Sequence, residues 1–153
     1  MNDINIPELT TLCYMEREGA YLMMHRTKKE KDINKDKWIG VGGHFEYGES
    51  PDECLLREVY EETGLTVLHP RLCGIKDWCD GGRRYVVLLY SAERFSGTLR
   101  ASREGAVSWV SLADLPKLRL ADDMQKLLEV FLREELSEFF YRREDGDWAA
   151  ELK

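Results

Sequence analysis

Apolar and polar residues follow strand-like patterns at the start of the chain. Residues 9–16, LTTLCYME, and 20–25, AYLMMH, predict two strands, with Glu18-Gly19 between them as a turn. Residues 27–37, TKKEKDINKDK, show no periodicity and read as a charged loop, either solvated or placed to close over a substrate. Trp38-Ile39-Gly40-Val41 leads into Gly42-Gly43, a pair that permits close backbone approach, and His44-Phe45-Glu46 reads as a short strand. The period then becomes helical over 51–63, where Leu55, Leu56 and Val59 occupy the arc a core would bury. Ser50 suits the N-cap, Pro51 suits N1, Glu53 at N3 completes a capping box, and Gly64 suits a left-handed C-cap. Residues 66–78 and 83–94 predict strands joined by the turn Cys79-Asp80-Gly81-Gly82. The run YVVLLY is almost wholly apolar and marks the second of these as a central strand. Residues 95–104 read as a loop, 106–110 as a short strand and 112–116 as a turn. A second helix is predicted over 121–137, with Leu127, Leu128, Phe131 and Leu132 as its core stripe. The tail predicts a hairpin around Asp145-Gly146, with Phe139 and Trp148 as core or dimer-contact residues.

Composition narrows the class. A chain of 153 residues predicts one domain over 1–153, large enough for a core without disulfide or metal staples. Hydrophobic residues make up 43% and charged residues 33%, as in a soluble globule. The net charge of -7 argues against a polynucleotide or an anionic membrane as partner. A single nucleotide stays open, because a bound cation inverts the local sign. Cys13, Cys54, Cys73 and Cys79 form no C-x-x-C and read as reduced thiols, mostly buried or half-buried, of a cytoplasmic protein. The start MNDINIPELT has the form of no signal peptide, and no apolar run approaches the ~18 residues of a membrane span.

The chemistry concentrates on the first helix. Glu58, Glu61 and Glu62 stand at i, i+3 and i+4 and so share one face. They repel one another and sit in the last turns, where the helix dipole disfavours negative charge. Each effect costs a few tenths to about 1 kcal/mol. Arg57 can pair with Glu61 and Glu53, but one cation does not neutralise the cluster. A divalent cation would, and hard oxygen ligands on one face suit Mg²⁺ or Mn²⁺.

The spacing G-x5-E-x7-R-E-U-x-E-E-x-G-U, with U apolar, is filled by Gly43, Glu49, Arg57, Glu58, Val59, Glu61, Glu62, Gly64 and Leu65. It resembles the signature box of the Nudix hydrolases. The resemblance implies an α/β fold, an α/β/α sandwich with a mixed sheet between the box helix and a C-terminal helix. It implies metal-assisted hydrolysis of a phosphoanhydride in a nucleoside diphosphate linked to X. It implies Glu58, Glu61 and Glu62 as Mg²⁺ ligands, joined by the Gly42 carbonyl. Arg57 would orient the glutamates and Glu49 would support Arg57 or a water. Either Glu58 or Glu104, a loop acid five residues before Trp109, would serve as general base. Arg26, at a strand end, and Thr11, Gly43 and His44 would contact the nucleotide.

The flanks TTLCYME, YLMMHR and KWIGVGG further resemble the MutT-like branch, the 8-oxo-dGTP diphosphatases. Val41 stands where the usual family pattern has proline, as an apolar residue does in the mammalian oxidised-purine hydrolase. Asp122-Asp123 falls where that relative reads the base, while Leu120 and Ile39 replace its aromatic and its asparagine. The pair also suits a plain helix N-terminus. The implied partner is a small-molecule nucleotide, met by a monomer or a homodimer. Nudix pyrophosphatases of ADP-ribose, dinucleoside polyphosphates or ordinary dNTPs, and a nucleotide sensor without turnover, are the alternatives.

Overall fold

The computed structural model describes residues 6–27, 35–103, 105–121 and 123–153. Glu104, Asp122 and most of the charged loop lie outside them. Strands β1 (Glu8–Arg17), β2 (Ala20–Arg26) and β3 (Trp38–Ile39) precede helix α1 (Pro51–Thr63). Then come β4 (Leu65–Leu68), β5 (Arg71–Asp80), β6 (Arg83–Ala92), β7 (Arg94–Gly97) and β8 (Gly105–Ser111). Helix α2 (Met124–Leu132), β9 (Glu138–Glu144) and β10 (Asp147–Leu152) complete the chain.

The main sheet runs β10-β9-β5-β6-β1-β2-β3, with β8 pairing β2, and β4 and β7 form a separate pair. It is mixed: β1 lies parallel to β6 and β5 parallel to β9, while β1–β2, β5–β6 and β2–β8 are antiparallel. The apolar run of β6 does sit centrally, between β5 and β1. β1 and β2 pair only beside their turn, at Glu16↔Tyr21 and Arg17↔Ala20. Beyond it they part, and residues 38–44 enter the gap. Ile39 and Trp38 bridge β2, while Val41 and His44 bridge Cys13 and Thr10 of β1. This wedge carries Gly42 and Gly43 to the edge of α1.

Strand alternation divides the core between two faces. Cys13, Met15, Leu22, Met24 and Tyr90 pack with Leu55 and Val59 of α1. Tyr14, Met23 and Leu89 pack with Leu127, Leu128 and Phe131 of α2, and with Phe139 of β9. The helices therefore cover opposite faces, as the sandwich requires. No helix of the described residues is long and apolar enough to cross a membrane.

Several expectations need correction. The strand expected over 66–78 breaks at His69-Pro70, where His69 takes a φ of 52°, and its first part pairs with β7. Part of the loop expected over 95–104 is thus strand. His44 makes one bridge rather than a strand. The second helix is shorter than 121–137. Ala121 donates its N–H to Trp38 O, which holds the approach to α2 against the sheet, and Arg133 is extended. Leu56 is 36% exposed and Leu132 55% exposed, so neither belongs to the stripe that was expected to hold it. Cys13 and Cys54 are buried, but Cys79 is exposed. Phe139 is core, whereas Trp148 is 39% exposed.

Candidate active site

Helix α1 is fixed at both ends by its own sequence. Ser50 Oγ accepts the Glu53 N–H at 3.2 Å, and Pro51 opens the helix. Gly64 takes a φ of 79° and donates its N–H to Tyr60 O at 2.8 Å. That register presents Glu58, Glu61 and Glu62 to one open pocket of about 370 Å³, lined also by Arg100, Ser102 and Arg103.

Arg57 is the hub of the acidic face. Its Nε and Nη2 donate to Glu49 Oε2 and Oε1 at 2.6 and 3.0 Å, a bidentate clamp. Its Nη1 reaches Glu58 Oε1 at 2.9 Å and Glu61 Oε2 at 3.3 Å, and its Nη2 also reaches His44 O at 2.9 Å. Glu49, which the resemblance placed in support of Arg57, is its principal partner, and of the two pairings expected along the helix the one with Glu61 forms. The Arg57 bonds, aided by the Glu46 N–H, hold the Glu49 carboxyl down at about 2. The same contacts raise the Arg57 pKa further, so the guanidinium stays charged.

Gly42 is required by the backbone it packs against, and Gly43 leaves the space that the Glu58 carboxyl fills. A Cβ on Gly43 would lie 2.5 Å from the Glu58 carboxyl, and one on Gly42 would lie 2.0 Å from Thr11 O. The Gly42 N–H donates to Glu62 Oε2 at 3.2 Å and holds that carboxylate, only 8% exposed, at the pocket wall. Thr11 sits beneath them. Its N–H donates to Gly43 O, and its hydroxyl lies 3.6 Å from Cys54 Sγ. Burial pushes the Cys54 thiol up, against that hydrogen bond.

No basic residue stands in the last turn of α1, yet a cation reaches it from the loop after β7. Arg100 Nη2 donates to Tyr60 O at 2.9 Å, and its guanidinium lies over the Tyr60 ring. Arg57 and Arg100 together relieve the charge that the dipole and the clustered glutamates build up there.

Among the described residues, no group of three or more His, Cys, Asp and Glu converges into a ready-made metal cage. An all-oxygen wall facing open space fits a small hard cation that takes one or two carboxylates and fills its other positions with waters and substrate phosphates. Other expected residues scatter. Alternation puts Arg26 on the α1 face with Leu22 and Met24, next to Gly105 of β8. The His44 ring lies 3.6 Å from Glu8 and does not line the pocket. Asp123 precedes α2 at a φ of 53°, makes no capping bond, and accepts the Tyr141 hydroxyl. Arg100 and Arg103 were not expected. They sit in a stretch without periodicity, and only tertiary contacts bring them to the glutamates.

The family model of the NUDIX domain matches residues 7–131, most of the chain. The chain belongs to the Nudix hydrolase family. Nudix hydrolases generally use divalent cations. An oxidized purine nucleoside triphosphate hydrolase of Danio rerio is 30% identical over 76% of this chain and 75% of its own. The NAD-capped RNA hydrolase NudC of Haemophilus influenzae is 28% identical over 67% of this chain, which spans only 39% of it. The crystal structure of a MutT protein from Bacillus halodurans superposes with a TM-score of 0.76 at 25% identity, over 95% of this chain and 97% of that one.

Proposed function

We propose that this Nudix hydrolase uses Mg²⁺ to cleave a nucleoside triphosphate to the monophosphate and pyrophosphate, with oxidised purine nucleotides such as 8-oxo-dGTP as substrates. The observation that carries this reading is the shared pocket of Glu58, Glu61 and Glu62, with Arg57 clamped between Glu49 and two of them. The likeness to the oxidized purine hydrolase supports the choice of substrate.

Glu58, Glu61 and Glu62 would hold the cation, with Mn²⁺ as a substitute, and the Gly42 carbonyl would add a ligand. Magnesium bound there would polarise phosphoryl oxygens and acidify the attacking water. Arg57 keeps the carboxylates from splaying, and Glu49 fixes Arg57. Glu58 or Glu104 takes the proton of the attacking water as its oxygen bonds to phosphorus and the phosphoanhydride P–O bond breaks. Pyrophosphate leaves. Arg26 and Gly43 border the approach of the nucleotide, and Asp122 and Asp123 read its base, whereas Thr11, buried beneath the glycines, and His44, turned toward Glu8, do not serve as the nucleotide contacts expected of them. The cytoplasm, where nucleotides reside, is the expected compartment.

A second reading has its own support. Ile39 and Leu120 belong to the apolar cluster under α2, where they offer neither an amide nor an aromatic ring to a base. That favours a pyrophosphatase acting on another nucleoside diphosphate derivative, such as ADP-ribose or an ordinary dNTP. A panel of these substrates with Mg²⁺ separates the two, read as nucleoside monophosphate plus pyrophosphate from a triphosphate and as AMP plus ribose 5-phosphate from ADP-ribose. The first reading expects the highest kcat/KM for 8-oxo-dGTP. A higher value for any unoxidised substrate overturns it.

A further inference from the structure

One short basic segment shares the pocket of the three glutamates. Arg100, Ser102 and Arg103 line the same pocket as Glu58, Glu61 and Glu62. The segment is anchored at both ends. Near its start, a Cβ on Gly64 would lie 2.6 Å from Thr98 O, and the Arg100 N–H donates to Thr63 O at 2.9 Å. Near its end, Ser102 is buried and donates its N–H to Gly105 O at 3.2 Å. A Cβ on Gly105 would lie 1.6 Å from His25 O, so only glycine lets β8 start this close to β2. Backbone anchors on either side therefore fix where Arg103 stands.

The two arginines differ. Arg100 is already committed to Tyr60 O and the Tyr60 ring. Arg103 is exposed and has no hydrogen bond or ion pair within the described residues. A guanidinium that shares a pocket with carboxylates, without a partner of its own among the described residues, suits an anion bound in that pocket. Its planar fork matches two phosphate oxygens at once, which an ammonium does not.

We infer that Arg103 binds the diphosphate portion of the substrate that becomes the leaving pyrophosphate, and that Arg100 acts only to hold the segment in place. The inference rests on the triphosphate reading above, but the two can fail separately. The probe is inorganic pyrophosphate with Mg²⁺, titrated calorimetrically into wild type, Arg103→Ala, Arg103→Lys and Arg100→Ala. Arg103→Ala is expected to weaken binding about ten- to a hundred-fold, the scale of a charge-assisted bond, with an unchanged melting temperature. Arg103→Lys should recover part of the loss. Arg100→Ala should lower the melting temperature. Pyrophosphate binding by Arg103→Ala within about two-fold of wild type, or no binding by wild type, overturns the inference. Should wild type bind the probe yet release pyrophosphate from no nucleoside triphosphate, the triphosphate reading falls, and the Arg103→Ala comparison still decides the role of Arg103.

Discussion

Gly43 and Glu58 show how closely single residues are fitted here. A methyl group on Gly43 would occupy the space of the Glu58 carboxyl, 2.5 Å away. Gly43→Ala should therefore keep the fold but displace Glu58, lowering kcat/KM at least about ten-fold, the effect of misplacing one catalytic group. Steady-state kinetics with a melting curve checks this, and unaltered turnover would contradict it. Glu49 gives a pH signature. Its carboxyl titrates at about 2, below its ordinary 4.5, because Arg57 and the Glu46 N–H stabilise the charged form. A depressed pKa adds stability that is complete above 4.5 and fades as pH falls toward about 2. The melting-temperature advantage of wild type over Glu49→Gln should shrink across that window and stay constant above it. Glu61→Gln and Glu62→Gln should each lower Mg²⁺ affinity and activity by orders of magnitude. Loss of like-charge repulsion should leave the metal-free protein as stable or a few tenths of a kcal/mol more so. Near wild-type turnover at limiting Mg²⁺ would remove that residue from the ligand set.

At the scale of elements, the contrast between the helices explains what sequence reading can reach. Helix α1 was legible to the residue, because Ser50, Pro51 and Gly64 carry its start and stop signals locally. Helix α2 was not. Its beginning is set by a hydrogen bond from Ala121 to Trp38 in the wedge and by the Tyr141 contact with Asp123. Neither contact leaves a mark in the neighbouring sequence. The break at His69-Pro70 and the β4–β7 pair depend likewise on a partner strand distant in sequence. Among the glycines, Gly105 leaves the least room for a side chain, where β8 starts against β2. Gly105→Ala should force the strands apart and cost at least about 1–3 kcal/mol as an overpacking change. In a chain of this size that is about 2–4 °C in melting temperature per kcal/mol. An unchanged melting temperature would mean that β8 begins farther from β2.

At the scale of the whole molecule, α1 and α2 divide the work by covering opposite faces of one sheet. The α1 face holds the carboxylates, and their identity was legible because the box is a contiguous run. The α2 face holds Asp123, whose carboxylate already accepts the hydroxyl of Tyr141 from the terminal hairpin. Asparagine would keep an acceptor for Tyr141 but lose the charge. Asp123→Asn should lower kcat/KM for 8-oxo-dGTP about ten- to a hundred-fold more than for dGTP. An unchanged ratio would leave Asp123 a structural partner of Tyr141. The two arginines were illegible, since nothing in residues 98–103 predicts that they share a pocket with the glutamates.

The most direct test of the central claim follows the oxygen of the attacking water. Wild-type protein is incubated with 8-oxo-dGTP and Mg²⁺ in ¹⁸O-labelled water, and the products are resolved by mass spectrometry. The account predicts monophosphate and pyrophosphate in equal amounts, one ¹⁸O in one of the two products, and no turnover without a divalent cation. Tight nucleotide binding without labelled product across the substrate panel, or release of single orthophosphate instead of pyrophosphate, would contradict it.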